Sequence, residues 1–291
     1  MQLFWVITLA VFGLCLGSFA GASVWRLRAR QLRDDKKAGE EVDPKEYKRL
    51  KALTKHSLTK DRSVCLHCGY TLRWYDLIPL VSWLTLKGKC RECRKPIGRF
   101  EPLIELGTAL FFVASFLFWP VPLETTEAII PFVLWLIAGV GLAILFAYDA
   151  KWFLLPDAVT YSVVAVAALS AGVRVFYSTD PMGAFLNTIG SVSILSGLYL
   201  FIYLISKGKW IGFGDVKLGL ALGLLLADWQ LAFIALFLAN LVGCFVVIPA
   251  MIAGKLKRTS YVPFGPLLIV GMIMAQFIGP YLISLLLFPI Y

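Results

Sequence analysis

Long apolar stretches separated by short polar segments dominate the pattern of hydrophobic and polar positions along the chain. Runs of about 18 apolar residues are long enough for a helix to cross a hydrocarbon core of about 30 Å. The short alternating segments of a membrane β-barrel do not occur in this pattern. It therefore predicts an all-α polytopic membrane protein with about eight transmembrane helices. We place these spans at about 3–25, 103–119, 128–148, 157–176, 183–205, 212–227, 231–254 and 262–288.

One long polar stretch interrupts the spans, between the first and the second. Twenty of the 28 Lys and Arg residues lie between Arg26 and Arg99. Residues 27–62 are strongly charged and poor in aromatic residues, which is typical of a solvated helix or a disordered arm near anionic lipid. No aromatic platform or motif supports a nucleic-acid role, so we expect none. The predicted parts are a first span (1–25), an insert with the charged arm and a cysteine module (26–102), and a transmembrane bundle (103–291).

The distribution of charge predicts the orientation of the spans. The residues Arg26, Arg28 and Arg30 follow the first apolar run, whereas a signal peptide has its basic residues before the apolar region. The positive-inside rule then places the N-terminus outside and the insert in the cytoplasm. The later loops agree, because the predicted cytoplasmic segments "DAKW", "SKGKW" and "KLKRTS" all carry Lys or Arg, while the predicted outer loops together hold one Arg. The lipid bilayer is thus an expected partner.

Two C-x-x-C pairs in the insert predict a structural metal site. Cys65, Cys68, Cys90 and Cys93 supply four thiolates, the set typical of a zinc ribbon. Such a site has no open position for a substrate, so the zinc would be structural. Disulfides are the weaker alternative in a reducing cytoplasm. A redox-active C-x-x-C is another, but it needs only one pair and a thioredoxin-like context.

Two carboxylates at the cytoplasmic edge of predicted spans are the candidate catalytic groups. Asp149 ends the third span and Asp215 begins the sixth, so the predicted topology places them at one depth. Two carboxyl groups that share a site do not easily both ionise, which provides an acid beside a base. Such a pair activates a water for attack on a peptide carbonyl. Gly212 and Gly214 have no side chains and so allow substrate or a neighbouring helix to approach Asp215.

Simpler roles remain open for the charged residues near these carboxylates. Asp149 also suits a helix end anchored beside Lys151. Asp157 follows Pro156, which suits the first turn of the fourth span, so we give it a structural role. Lys151 and Lys217 are consistent with ordinary positive-inside anchors.

Together these motifs resemble the bacterial type IV prepilin peptidases, bifunctional leader peptidase and N-methyltransferase enzymes with a GxGD aspartyl protease site. The resemblance covers most of the chain and rests on eight blocks in order. These are "GSF" at 17–19, the two C-x-x-C pairs, "IPLVSWL" at 78–84, "GKCREC" at 88–93, "PIGRFEPLIEL" at 96–106, "DAKWFLLPD" at 149–157, "GFGDVKLG" at 212–219 and "PFGPLL" at 263–268.

The resemblance implies a function that the residue pattern alone does not provide. Such enzymes cleave the basic leader of prepilins and pseudopilins at the cytoplasmic face of the inner membrane. They commonly methylate the new N-terminus with S-adenosylmethionine. The family's two catalytic aspartates correspond to Asp149 and Asp215. The chain departs from the family at Ala20 and Gly21 after "GSF", and at Asp76 where Glu is frequent, which bears on methylation and substrate fit.

Recognition of a basic leader calls for acidic side chains near the insert. Glu101 and Glu105, at the cytoplasmic entry of the second span, are the candidates, and ordering the junction between the cysteine module and the bundle is their alternative role. Two other functions are weighed against the peptidase. A zinc-stabilised membrane scaffold would cleave no prepilin, and a quinone-linked thiol oxidoreductase would need redox-active thiols on the outer side, against the charge bias.

Overall fold

The computed structural model of the protein describes residues 2–54, 62–257 and 261–287. Throughout these ranges the regular structure is helical and no strand forms, apart from two isolated β-bridges in the insert. The prediction of an all-α protein is therefore confirmed. Part of the charged arm (55–61), the end of the loop "KLKRTS" (258–260) and the end of the last predicted span (288) lie outside the described residues.

The N-terminal unit, Met1–Ala114, contains the first span and the insert. The first helix does not end with the apolar run, since it continues through the first basic residues of the insert. The first part of the charged arm is thus a helical extension of the first span. The helices of this unit are α1 (Gln2–Lys37), α2 (Pro44–Leu50), α3 (Val81–Thr85) and α4 (Phe100–Leu117, whose last three residues belong to the second unit), with 3₁₀ turns at Lys51–Thr54 and Trp74–Leu77.

Glycines bring α1 and α4 into backbone contact within the N-terminal unit. A Cβ on Gly13 would lie 2.6 Å from the Cα of Ala109, and one on Gly17 would lie 2.7 Å from the Cα of Glu105. Small residues spaced four apart are the usual means by which membrane helices approach closely, because lipid provides little hydrophobic drive for association. The "GSF" block therefore has a packing role here, and it holds Glu105 beside α1.

The C-terminal unit, Ser115–Tyr291, is a bundle in which α9 packs between other helices. Helix α9 contacts α6, α7 and α8, while α5 pairs with α6, and α10 pairs with α11. A π-helical turn at Ser193–Gly197 joins α7 to α8. The helices are α5 (Thr126–Trp152), α6 (Asp157–Tyr177), α7 (Pro181–Val192), α8 (Leu198–Ser206), α9 (Phe213–Leu226), α10 (Trp229–Ile252) and α11 (Phe264–Leu287).

Seven helical segments of the described chain are long and apolar enough to cross a membrane, with α7 and α8 counted as one. The eighth predicted span, at 212–227, is not confirmed. Helix α9 has 14 residues, about 21 Å at 1.5 Å per residue, which is short of a hydrocarbon core of about 30 Å. Four of its six leucines, Leu218, Leu222, Leu225 and Leu226, are completely buried, and the other two are half-buried. The apolar character that predicts a span here therefore reflects burial inside the protein.

Candidate active site

Asp149 lies in the last turn of α5 and is buried, with 5% of its surface exposed. Its Oδ2 accepts a hydrogen bond of 3.0 Å from the backbone N–H of Gly265, the second residue of α11. The N–H groups of a first helical turn have no partner inside their own helix and attract negative charge. The carboxylate thus caps a helix 116 positions further along the chain.

Asp215 is in the first turn of α9, where the helix dipole also favours a negative charge. Asp149 lies within electrostatic range of Asp215, so the fold places the two carboxylates in one region of the C-terminal unit. The contacts around Gly265 define the junction: a Cβ there would lie 2.7 Å from Oδ2 of Asp149 and 3.4 Å from Cδ2 of Leu218 on α9. One carboxylate therefore lies at the end of α5, the other at the start of α9, and the start of α11 lies against Asp149.

The two glycines before Asp215 differ in their surroundings. A Cβ on Gly214 would lie 3.2 Å from Leu155 in the α5–α6 connection, which is a tight contact. A Cβ on Gly212 would meet Oδ2 of Asp215 at 3.8 Å, an ordinary distance. The close approach expected at these glycines thus falls on Gly214.

Asp157 and Lys217 form an ion pair that links the start of α6 to α9. Asp157 is the first residue of α6, as its sequence context suggests. Lys217 also lies over the ring of Tyr161, 5.3 Å from its centroid. The pair gives Lys217 a partner within the bundle, in addition to the anchor role expected from its position.

The four cysteines of the insert lie within one cluster. Their sulfur atoms are all within 4.8 Å of one another, and the Sγ atoms of Cys65 and Cys93 are 4.0 Å apart. A tetrahedral zinc with Zn–S bonds of about 2.3 Å requires sulfurs roughly 3.8 Å apart. The cluster therefore fits a four-thiolate ion.

Two matching turns present the sulfurs. The N–H of Gly69 donates to the carbonyl of Cys65 at 2.9 Å, and the N–H of Arg94 donates to the carbonyl of Cys90 at 3.1 Å. Both residues have positive φ, +76° and +57°, a region that glycine adopts freely and arginine rarely. The second turn uses the same backbone path without glycine, which indicates that the surrounding module holds it in place.

An ion pair braces the module beside the cysteines. Arg91 Nε lies 2.8 Å from Oδ1 of Asp76, whose side chain is almost completely buried. Burial by itself raises the pKa of Asp76, but hydrogen bonds from Arg91 and from the N–H of Arg73 outweigh it, and the pKa lies below its ordinary value. Asp76 is thus held as a carboxylate that ties the second C-x-x-C pair to the segment between the two pairs.

A cavity of about 180 Å³ lies within the N-terminal unit. Its walls include the rings of Trp25 and Trp83 and the carboxylates of Glu101 and Glu105. Trp25 Nε1 donates to Oε1 of Glu101 at 2.8 Å, while Oε2 of Glu101 is buried and has no hydrogen-bond partner in the described structure. Oε2 of Glu105 accepts from the N–H of Leu80 at 2.8 Å. Glu105 thus holds the segment at Leu80 against α4.

Comparison with known proteins identifies the family. Residues 11–119 match the Bacterial Peptidase A24 N-terminal domain, and residues 136–248 match the Type IV leader peptidase family. The "Type 4 prepilin-like proteins leader peptide-processing enzyme" of Escherichia coli O78:H11 is 34% identical over 263 residues, 90% of this chain and 89% of the relative. The chain therefore belongs to the type IV leader peptidase family. It is a multi-pass protein of the inner membrane.

Two further relatives in the type IV leader peptidase family carry the name "Prepilin leader peptidase/N-methyltransferase". The protein of Pseudomonas aeruginosa is 30% identical over 266 residues, 91% of this chain and 88% of the relative. That of Burkholderia pseudomallei is 32% identical over 277 residues, 92% of this chain and 84% of the relative. No solved structure matches the chain.

Sequence reasoning about this member of the type IV leader peptidase family missed two residues beside the aspartates. Gly265 lies in the quoted block "PFGPLL", but the pattern assigns it no role, because a backbone donor leaves no chemical signature in a sequence. Tyr199 lies in an apolar run where an aromatic residue is unremarkable. Its ring contacts Phe264, which precedes Gly265, and its hydroxyl lies within electrostatic range of Asp215. Both placements arise only when distant helices pack together.

Proposed function

We propose that the protein cleaves the leader peptide of type IV prepilins or pseudopilins, with Asp149 and Asp215 as its catalytic pair. The observation that carries the proposal is that two carboxylates 66 positions apart lie within electrostatic range of each other in the C-terminal unit. Membership of the type IV leader peptidase family supports this substrate class.

The pair would work by sharing one proton. The ionised aspartate takes a proton from water as the water oxygen attacks the scissile carbonyl carbon. The protonated aspartate then gives its proton to the leaving nitrogen as the C–N bond breaks. Like charges at short range keep one carboxyl group protonated, which supplies both roles at once.

The test replaces each carboxyl group by an isosteric amide. Asp149→Asn and Asp215→Asn should each abolish cleavage of a co-expressed prepilin, because a single carboxyl group does not serve as acid and base together. Asp157→Asn is the matched control and should keep most of the activity, since Asp157 only pairs with Lys217 at the surface of the bundle. Near-normal processing by either of the first two variants, with normal membrane insertion, would refute the pair.

The charge pattern supports an orientation with the N-terminus outside and the aspartates at the cytoplasmic face. The connection at 207–212 carries two lysines, and the connection at 178–180, on the other side of the α7–α8 span, carries none. Basic residues favour the cytoplasmic side. A prepilin leader on that side would reach the aspartates directly.

We assign a structural zinc ion to Cys65, Cys68, Cys90 and Cys93. Four sulfurs at tetrahedral spacing favour a closed metal site over a thiol–disulfide site, which uses two. The ion would replace the apolar core that so short a module lacks.

The same proposal includes N-methylation, with S-adenosylmethionine as the methyl donor. The names of the relatives support the methylation step. A cationic group in the cavity of the N-terminal unit would give Oε2 of Glu101 the partner that it lacks among the described residues. Arg49 already lies over the ring of Trp25, 5.5 Å from its centroid, so the charge of the ligand would rest on Glu101. S-adenosylmethionine, when bound, supplies an activated methyl group on a positively charged sulfur. Glu101 would hold that charge, and Trp25 and Trp83 would line the rest of the molecule.

The basic leader of a prepilin also carries positive charge, on its lysine side chains. A carboxylate and an aromatic face stabilise a lysine ammonium in the same way as a sulfonium. We therefore propose that Glu101 binds a cation of the reaction and that Glu105, which already accepts from Leu80, contributes by holding α4 and the module together. Separate measurements with the leader and with the methyl donor distinguish which of the two supplies the cation.

A further inference from the structure

Tyr199 lies within electrostatic range of Asp215 but has no role in the mechanism above. It is the second residue of α8 and has 3% of its surface exposed. Its ring packs edge-on against Phe264, with 5.6 Å between centroids. Phe264 precedes Gly265, the residue whose N–H holds Asp149. The ring of Tyr199 thus contacts the segment that positions one aspartate.

The hydroxyl of Tyr199 is buried and has no hydrogen-bond partner among the described residues. It interacts electrostatically with Asp215. A buried hydroxyl without a partner destabilises a folded protein, so such a group calls for a specific explanation. A ligand that supplies the missing partner is one explanation, and the nearness of Asp215 together with the ring contact to Phe264 points to the substrate.

The local structure fixes where this hydroxyl lies. The π-helical turn Ser193–Gly197 ends two residues before Tyr199, and such turns are frequent at functional sites. Ser196 Oγ donates to the carbonyl of Val216 at 2.9 Å, next to Asp215. A Cβ on Gly219 would collide with the carbonyl of Leu195, so α9 lies directly against the turn. The start of α8 is therefore tied to the start of α9.

We propose that the Tyr199 hydroxyl donates a hydrogen bond to the carbonyl oxygen of the scissile peptide bond. This inference rests on the proposed aspartate pair. Water adds to the carbonyl carbon and loses its proton to the ionised aspartate, so negative charge develops on the carbonyl oxygen. Tyr199 stabilises that charge and keeps its own proton. The protonated aspartate then protonates the leaving nitrogen as the C–N bond breaks.

The hydroxyl role and a packing role predict different results. If the ring alone matters, Tyr199→Phe is as active as the wild type and only Tyr199→Leu is slow. If the hydroxyl acts on the developing charge, both variants are slow. The apo protein should lose no stability in Tyr199→Phe, since the hydroxyl makes no hydrogen bond there.

The experiment measures cleavage of a type IV prepilin with a Lys-rich leader by the full-length enzyme in proteoliposomes. Tyr199→Phe should lower kcat about 100-fold, the scale for a lost oxyanion donor, with KM changed less than about threefold. Its melting temperature should equal or exceed that of the wild type. Tyr203→Phe, one turn further along α8, is the matched control and should stay within about twofold.

Two results would overturn the proposal. One is normal kcat in Tyr199→Phe; the other is a fall in kcat that accompanies a clear loss of thermal stability. Asp215→Asn is measured in parallel. If it is inactive while Tyr199→Phe is normal, only the Tyr199 inference fails; if Asp215→Asn cleaves normally, the aspartate pair fails and the Tyr199 inference fails with it.

Discussion

A single backbone N–H, that of Gly265, orients the carboxylate of Asp149. Only glycine fits at this position, because a Cβ would lie 2.7 Å from the carboxylate oxygen of Asp149. Gly265→Ala should therefore displace the carboxylate while the N–H remains. Because small displacements of a catalytic group lower rates by up to about 100-fold, we expect kcat to fall about 10- to 100-fold in a prepilin cleavage assay.

The control for this variant is Gly172→Ala on α6, where a Cβ would meet nothing within 4 Å. It should keep full activity and gain slightly in helix stability. Equal activity of Gly265→Ala and Gly172→Ala would show that Asp149 does not need this contact.

Glu101 is a second residue with a specific local expectation. Glu101→Gln removes the charge and keeps the size, so it should weaken the binding of a cation in the cavity. If the cation is the leader, cleavage of a Lys-rich leader should slow by about tenfold and a leader with fewer lysines should be unaffected. If it is the methyl donor, S-adenosylmethionine should lose its effect on the melting temperature of the purified protein while cleavage continues.

If a folded Glu101→Gln variant shows neither of these effects, Glu101 does not take part in ligand binding. S-adenosylhomocysteine provides a further control, since its neutral sulfur lacks the positive charge that Glu101 would hold. It should stabilise the wild type less than S-adenosylmethionine does.

At the scale of structural elements, the cysteine module depends on two small turns rather than on a core. The helix next to the module, α3, has only five residues and buries little apolar surface. The four cysteine sulfurs, by contrast, lie within 4.8 Å of one another. We predict one zinc per chain in purified, reduced protein. Cys90→Ser should lower the zinc content and make residues 62–99 sensitive to protease, because metal binding and folding are coupled in such modules.

Cys15→Ser is the matched control, since Cys15 lies on the exposed side of α1, away from the cluster. It should keep the zinc content and the protease resistance of the wild type. Metal-free wild-type protein with a protected module would contradict the structural role of the ion.

At the scale of the whole molecule, the orientation in the membrane follows from where the basic connections lie. Thr179 is in the α6–α7 connection, which we place outside, and Lys209 is in the α8–α9 connection, which we place in the cytoplasm. In a variant without Cys15 and Cys244, Thr179→Cys should react with a membrane-impermeant maleimide in intact cells. Lys209→Cys should react only after the membrane is opened, and the reverse pattern would invert the proposed topology.

The sequence alone predicts a large part of this protein. Apolar runs identify the membrane helices because hydrophobicity acts locally, one segment at a time. The two C-x-x-C pairs identify the four-cysteine cluster, because thiolate spacing is itself a chemical pattern. Asp149 and Asp215 are recognisable as candidates, because a carboxylate is rare and costly beside a membrane span, and their catalytic role stays a prediction.

Only the tertiary structure shows which groups meet. The apolar run of α9 has the composition of a membrane span, but packing against α6, α7 and α8 makes it a short buried helix. Gly265 binds Asp149 although 116 positions separate them in the sequence. Tyr199 comes near Asp215 because of a π-helical turn, which the residue pattern does not predict. Hydrophobic periodicity determines which segments leave water, whereas the steric fit between distant backbones determines which atoms then lie side by side.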